Sequence, residues 1–453
     1  MLFSSITFLY CFLPVTLLCY FLAPARLKNG VLLLASLLFY GWGEPKYLFL
    51  MLAAIILSYG FGLGIEASRG TRRAKLYLIL SAVTGLGLLG WYKYAGFFAE
   101  NLRLPLPQVV LPIGISFYTF QLLSYTVDVY RGEPAQRNLV NFAAYAALFP
   151  QLIAGPIVRY TDVAAQLKTR THSLENTALG TRRFVVGLGK KVLLANNLGL
   201  ICMTFRNSGG DSVLYTWLYA LAFTLQIYFD FSGYSDMAIG LGRIFGFRFP
   251  ENFDYPYIST SITEFWRRWH MTLGSWFRDY VYIPLGGNRV SKPRWLCNLA
   301  IVWLLTGFWH GAAWNFILWG LWFAVLLVGE KLFWGKYLTK VPLLRRVYVL
   351  FFVILSFVLF NANSLTGALT DLRHLFGGLP FSSAETRYAL RSNAVLLGIA
   401  ILGATQLPRK LASQLEHRAV ATVLEPLLLV ALLLLVTAWL VDGSFNPFLY
   451  FRF

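Results

Sequence analysis

Apolar runs of about 18 residues or more follow one another along almost the whole chain, each long enough to cross roughly 30 Å of hydrocarbon. The length of 453 residues would suggest roughly three domains in a soluble protein. With 57% hydrophobic and only 13% charged residues, against roughly 25% charged in ordinary soluble proteins, that reading is excluded. The expected fold is an all-α, multi-pass membrane protein, one domain over residues 1–453.

Lys and Arg number 39 against 20 Asp and Glu, a net charge of +19. In a soluble chain this balance would point to nucleic acid. Here the cations fall mainly in short stretches between apolar runs, as the positive-inside rule expects, so topology accounts for them and no nucleic-acid partner is implied. Taken as cytoplasmic, the basic loops are Ala25 to Lys28, Ser68 to Lys75, Arg131 to Arg137, Lys168 to Lys191, Asn288 to Arg294, Lys336 to Arg346 and Pro408 to Arg418. Ile6 to Phe21 reads as a retained first span, without the basic start or cleavage site of a removed signal. Both termini are then expected outside, with Phe448, Tyr450, Phe451 and Phe453 as an aromatic interfacial anchor.

Three stretches resist simple alternation. Leu139 to Ile157 has basic loops on both sides, is one membrane thick and contains Pro150, Gly155 and Pro156. A re-entrant or broken segment buried in protein fits it best, because irregular backbone survives at membrane depth only there. Ser232 to Arg294 is aromatic, Gly-rich and charged at once. Within it Trp266, Trp269, His270, Leu273, Trp276 and Phe277 fall on one arc of about 120° at helical spacing, with Arg267, Arg268 and Arg278 opposite, which predicts an amphipathic helix near the cytoplasmic interface. Trp295 to Phe333 is long enough for two passes meeting at His310-Gly311-Ala312-Ala313. The total is about ten to twelve spanning or re-entrant segments.

Ionisable groups inside a bilayer cost about 2.5 kcal/mol or more each, so those that occur there rank the candidates for chemistry. Of the five histidines, His172, His374 and His417 lie in polar stretches where solvation is the default. His310 has no charged neighbour for more than ten residues on either side. It reads either as a structural histidine bonded between helices or as a general base, its ordinary pKa near 6.5 leaving the buried ring neutral and able to accept a proton. His270 is the second candidate, with an interfacial structural role as the alternative. Arg267, Arg268, Arg278 and Lys190-Lys191 could collect an anionic cofactor at the cytoplasmic mouth, or more simply contact lipid headgroups. Asp230, Asp236, Glu264 and Asp279 are more simply read as partners of local arginines than as a metal or proton site. Cys11, Cys19, Cys202 and Cys297 have no metal-ligand or disulfide spacing, so no metal site is expected. No Walker motif, nucleophile elbow, HExxH or GxGxxG is present, which argues against an ATP-driven pump.

Several strings, in order, resemble the membrane-bound O-acyltransferase (MBOAT) family, and most closely its bacterial alginate O-acetyltransferase branch. They are Leu111-Pro112-Ile113-Gly114-Ile115-Ser116-Phe117-Tyr118, Gln226 to Gly240 (Gln-Ile-Tyr-Phe-Asp-Phe-Ser-Gly-Tyr-Ser-Asp-Met-Ala-Ile-Gly), Trp266-Arg267-Arg268-Trp269-His270, Tyr282 to Asn288, Gly307-Phe308-Trp309-His310-Gly311 and Pro447 to Phe451. The resemblance implies a ring of helices around a thinned centre, with a tunnel joining a cytoplasmic donor site to an extracytoplasmic acceptor site. It places the catalytic-centre motifs in 232–320, makes His310 the catalytic histidine and makes His270 a second functional position. It further implies an acyl thioester donor such as acetyl-CoA, no permanently bound cofactor, residence in the bacterial cytoplasmic membrane, and a separate extracytoplasmic SGNH-type transferase or polysaccharide-modification protein as partner. D-alanyl transfer to teichoic acid from a carrier protein is the alternative within the family. A secondary transporter or flippase is the alternative outside it, although transporters commonly repeat their broken helices in both halves and these histidine motifs occur only in the second.

Overall fold

The computed structural model describes residues 1–106, 109–338, 340–415, 421–443, 446 and 449. The aromatic residues proposed as a C-terminal anchor, and His417, lie outside these. Among the described residues every regular element is helical. Six helices are long and apolar enough to cross a membrane: Pro45–Ala67, Arg72–Leu102, Leu174–Ser208, Trp314–Leu338, Leu343–Asn361 and Thr422–Asp442. A seventh candidate, Ala384–Gly403 with Leu407–Gln414, is bent by 69° at a short break. The segment read as the first span is an apolar helix, Phe8–Leu22, shorter than these. With further helices too short or too polar to span alone, the chain is the polytopic α-helical membrane protein its apolar runs require.

The chain divides into two compact units, one of residues 1–184 and 234–251, the other of 185–233 and 252–453. In the first, Ile115–Arg131 buries 14 of its 17 residues between Pro45–Ala67 and Arg72–Leu89. The helix is buried on nearly every side, its polar Ser116, Gln121, Ser124, Thr126 and Asp128 included, as a helix in the middle of other helices must be. Leu139 to Ile157 is broken as its prolines and glycine predict: a helix Leu139–Ala147, a short turn Phe149–Leu152 and irregular backbone, nearly all of it buried. Asp236 belongs to this unit and pairs with Arg183, 2.9 Å away, the arginine partner expected of it.

The second unit carries the hairpin Lys292–His310 and Trp314–Gly329, whose break falls at the residues that the sequence marks as the meeting of two passes. A Cβ on Gly307 would overlap the carbonyl oxygen of Phe316, and one on Gly320 that of Trp303. The glycines therefore let the two backbones touch, and helix packing fills the room that a ligand or water could otherwise have used.

Two expectations are corrected. Lys168 to Lys191 is not one basic loop, because a continuous helix starts at Leu174 and runs to Ser208. Lys191 lies buried within it, 2.6 Å from Asp230, with both side chains no more than 3% exposed. A buried cation with an anion beside it is tolerated at membrane depth, so Lys191 cannot serve a cytoplasmic mouth, and Asp230 has a lysine rather than an arginine for its partner. The aromatic helix around His270 is also not single. It stops at Arg268, and Met271–Phe277 starts anew after His270, whose φ of 44° is left-handed. Backbone bonds from Asp254 N to Arg268 O and from Met271 N to Asn252 O, both 3.0 Å, take up groups a continuing helix would use. Helical periodicity alone cannot register that competition.

Candidate active site

His310 is the last residue of Lys292–His310 and is 4% exposed. The hairpin turn presents its ring to an aromatic wall: Trp319 at 5.0 Å, Phe360 at 5.4 Å and Trp309 at 4.9 Å between ring centroids, all edge-on. The wall itself is pinned. Asn315 Nδ2 donates to the carbonyls of Phe360 and Ala362, at 3.4 and 3.0 Å, while Asn361 Nδ2 donates to the Tyr219 hydroxyl at 2.8 Å. That hydroxyl is also bonded to Arg206, which pairs with Asp371 at 2.6 Å. The chain end that backs His310 is thus held by side chains from four other helices.

His270 reaches the same place from the other side. Its ring is 5.8 Å from Trp309 and 4.6 Å from Phe231. Trp309 therefore touches both imidazoles, and two histidines 40 residues apart in sequence share one indole. Nδ1 of His270 lies 3.1 Å from Oδ1 of Asn252, and its buried Nε2 has no hydrogen-bond partner among the described residues. Burial pushes the imidazole down to about 3, which keeps it neutral at ordinary pH.

The helix Ile262–Arg268 that leads to His270 is fixed at its start. Ser261 accepts the N–H of Glu264 at 2.9 Å, and Glu264 in turn accepts the N–H of Thr260 at 2.9 Å. These bonds resemble a capping box displaced by one residue. Glu330, projecting from the far part of the hairpin, accepts the N–H groups of Ile262 at 2.6 Å and Thr263 at 3.2 Å. A carboxylate there satisfies orphan donors and meets the positive end of the helix dipole. The Tyr282 to Asn288 string is tied to the His310 helix by Asn298 Nδ2, which donates to the carbonyls of Leu285 and Gly287 at 3.2 and 3.1 Å.

Two of the cations proposed to collect the donor are taken up by carboxylates. Arg268 is held by Asp254 at 2.7 Å and Glu264 at 3.0 Å, and Arg278 by Asp279 at 2.6 Å. Arg267 is exposed. No cluster of three or more His, Cys, Asp or Glu able to hold a metal occurs among the described residues. Sequence reasoning missed Asn252, Asn315, Asn361, Tyr219 and Arg206. Asn315, Asn361 and Tyr219 are polar in or beside apolar or aromatic stretches, the signal that picked out His310, but uncharged residues draw little notice by that rule, while Arg206 and Asn252 stand beside other polar residues and do not stand out.

These features define a multi-pass membrane protein that closes two imidazoles inside an aromatic chamber. The model of the membrane-bound O-acyltransferase family matches residues 70–370. The chain is 47% identical over 382 residues to a probable alginate O-acetylase of Azotobacter vinelandii, covering 81% of this chain and 76% of that one. It is 46% identical to the corresponding Pseudomonas aeruginosa protein, covering 81% and 73%, and 36% identical to a peptidoglycan O-acetyltransferase of Helicobacter pylori, covering 83% and 80%. The chain belongs to the MBOAT family and is an O-acyltransferase.

Proposed function

We propose that this protein takes an acetyl group from a thioester, acetyl-CoA in the simplest case, on the cytoplasmic side of a bacterial inner membrane and delivers it for O-acetylation of an extracytoplasmic polysaccharide of alginate, cellulose or peptidoglycan type. The observation that carries the reading is the pairing of His310 and His270 on Trp309 in a chain this similar to O-acetylating enzymes.

In the proposed step a ring nitrogen of His310 accepts the proton of the acceptor hydroxyl as its oxygen attacks the thioester carbonyl. The tetrahedral intermediate then expels the thiolate, which takes the proton back from the imidazolium, leaving ester, free thiol and neutral histidine. The buried aromatic walls exclude water that would otherwise hydrolyse the thioester. His270 is the second functional imidazole, and Arg267, Arg268 and Arg278 assist the donor at the cytoplasmic face. Residues 1–453 work as one membrane domain, with both termini extracytoplasmic. The outward-facing acetyl acceptor or relay is a separate SGNH-type transferase or related polysaccharide-modification protein.

The test is release of free thiol from acetyl-CoA by the purified protein in lipid nanodiscs, with an oligosaccharide acceptor. His310→Ala should lower the rate about 100-fold or more. Wild-type release by a folded His310→Ala protein sinks the base assignment. Turnover of a D-alanyl carrier-protein thioester in preference to acetyl-CoA replaces the acetyl reading with alanylation.

A further inference from the structure

The reading of His270 as a functional imidazole leaves open what decides which of its nitrogens carries the proton. Asn252 is 0% exposed, and its Oδ1 faces three groups at once: His270 Nδ1 at 3.1 Å, Thr272 Oγ1 at 2.9 Å and the Thr272 backbone N–H at 3.3 Å. A backbone N–H can only donate. The amide atom facing it must therefore be the oxygen, since a flipped side chain would set an NH2 group against that donor. An amide oxygen only accepts, so the ring nitrogen beside it must hold its proton.

The backbone allows no escape from this arrangement. The bonds Met271 N to Asn252 O and Asp254 N to Arg268 O strap residues 252–254 to both sides of His270, which they hold at φ 44° and ψ 52°. A left-handed conformation is uncommon for a residue with a side chain and persists only where the surroundings over-determine it. With the proton on Nδ1, the lone pair lies on Nε2. That atom is buried, has no partner among the described residues, and belongs to the ring shared with Trp309 and Phe231.

We propose that Asn252 is a positioning residue of the acyl transfer: it locks His270 as the Nδ1–H tautomer and so presents the Nε2 lone pair to a donor group of the bound substrates, an O–H, S–H or N–H. Asn252 itself touches no substrate. The inference rests on the functional reading of His270 given above and says how that residue is made ready.

The experiment is a double-mutant cycle on the full chain in nanodiscs, reading kcat and KM for acetyl-CoA with the same thiol assay. Asn252→Leu removes the accepting oxygen at similar volume and should lower kcat about 10- to 100-fold with KM little changed, the scale seen when an orienting partner is lost. Asn252→Asp keeps accepting oxygens and should retain most of the activity. In a His270→Ala background Asn252→Leu should cost nothing more, because the two residues act as a unit. Should the leucine variant not assemble, Asn252→Ala carries the same comparison. Equal losses in the aspartate and leucine variants, or a leucine loss that multiplies onto His270→Ala, overturn the inference. So does wild-type turnover in Asn252→Leu beside a crippled His270→Ala, and there the reading of His270 stands. Wild-type turnover in His270→Ala removes both.

Discussion

The two imidazoles are prepared by different means. His310 is held by what surrounds it, at a helix end between Trp309, Trp319 and Phe360. His270 is held by its own backbone, left-handed between two straps. Its burial has a consequence for acid stability. The folded-state value is pushed down to about 3, below the roughly 6.5 of an unfolded histidine. Between those limits the unfolded chain binds a proton that the folded one does not, so stability rises with pH there and is lost as pH falls from about 6.5 toward 3. His270→Asn tolerates the left-handed backbone and does not titrate. Melting followed from pH 7 to 4.5 should show a shallower loss in that variant than in wild type. Equal slopes would mean that the buried ring is not what acid attacks. His310 was legible as a residue because a lone imidazole in an uncharged run has few innocent explanations, whereas Asn252 was not, since its meaning lies in three donors that converge on one oxygen only after folding.

At the scale of elements, the placement of His310 depends on how closely two helices can approach. Gly307 and Gly320 bring the hairpin backbones into contact, which sets the angle at which His310 meets Trp319. Gly307→Val should force the helices apart at a cost of about 1–3 kcal/mol and lower kcat more than donor affinity, as seen by thermal melting beside the thiol assay. Unchanged turnover would show that the hairpin spacing does not aim the ring. Glu330 performs the matching task for the His270 arm, since it caps the first N–H groups of Ile262–Arg268 from another helix. Glu330→Ala should lower stability by about 1–2 kcal/mol, most of it restored in Glu330→Asp only if the shorter carboxylate still reaches. Recovery in Glu330→Leu instead would assign the loss to packing. The hairpin was readable from sequence because its break, His310 to Ala313, is small and polar between long apolar runs. The interruption at His270 was not, because the strap that stops the helix comes from residues 252–254 and leaves the aromatic spacing intact.

Across the whole molecule, the apolar runs sufficed for a many-helix membrane protein, while charge was a less faithful guide. A rule that reads lysine as a loop marker misplaced Lys190-Lys191, because the anion that lets Lys191 enter the bundle, Asp230, is 39 residues further on and invisible to a local window. That pair does more than neutralise itself. Lys191 Nζ also donates to Asn196 Oδ1 at 2.9 Å, Asn196 Nδ2 to Asn446 Oδ1 at 3.2 Å, and the N–H of Leu449 to Asp230 Oδ2 at 3.0 Å. Residues from three distant parts of the chain thus meet on one buried ion pair, and the described C-terminal residues are drawn back into the second unit, where Leu449 is buried. Removing one partner leaves an uncompensated charge, at a cost of about 3–5 kcal/mol, whereas replacing both by apolar residues of like volume is often neutral. Asp230→Asn should therefore lower the melting temperature sharply and open the C-terminal residues to protease, while Lys191→Met with Asp230→Leu should recover stability in the bundle. The double variant should still release its C-terminal residues, since the acceptor for Leu449 N–H is gone. If instead it protects them as wild type does, the tail is held by packing alone and the ion pair serves only the helices.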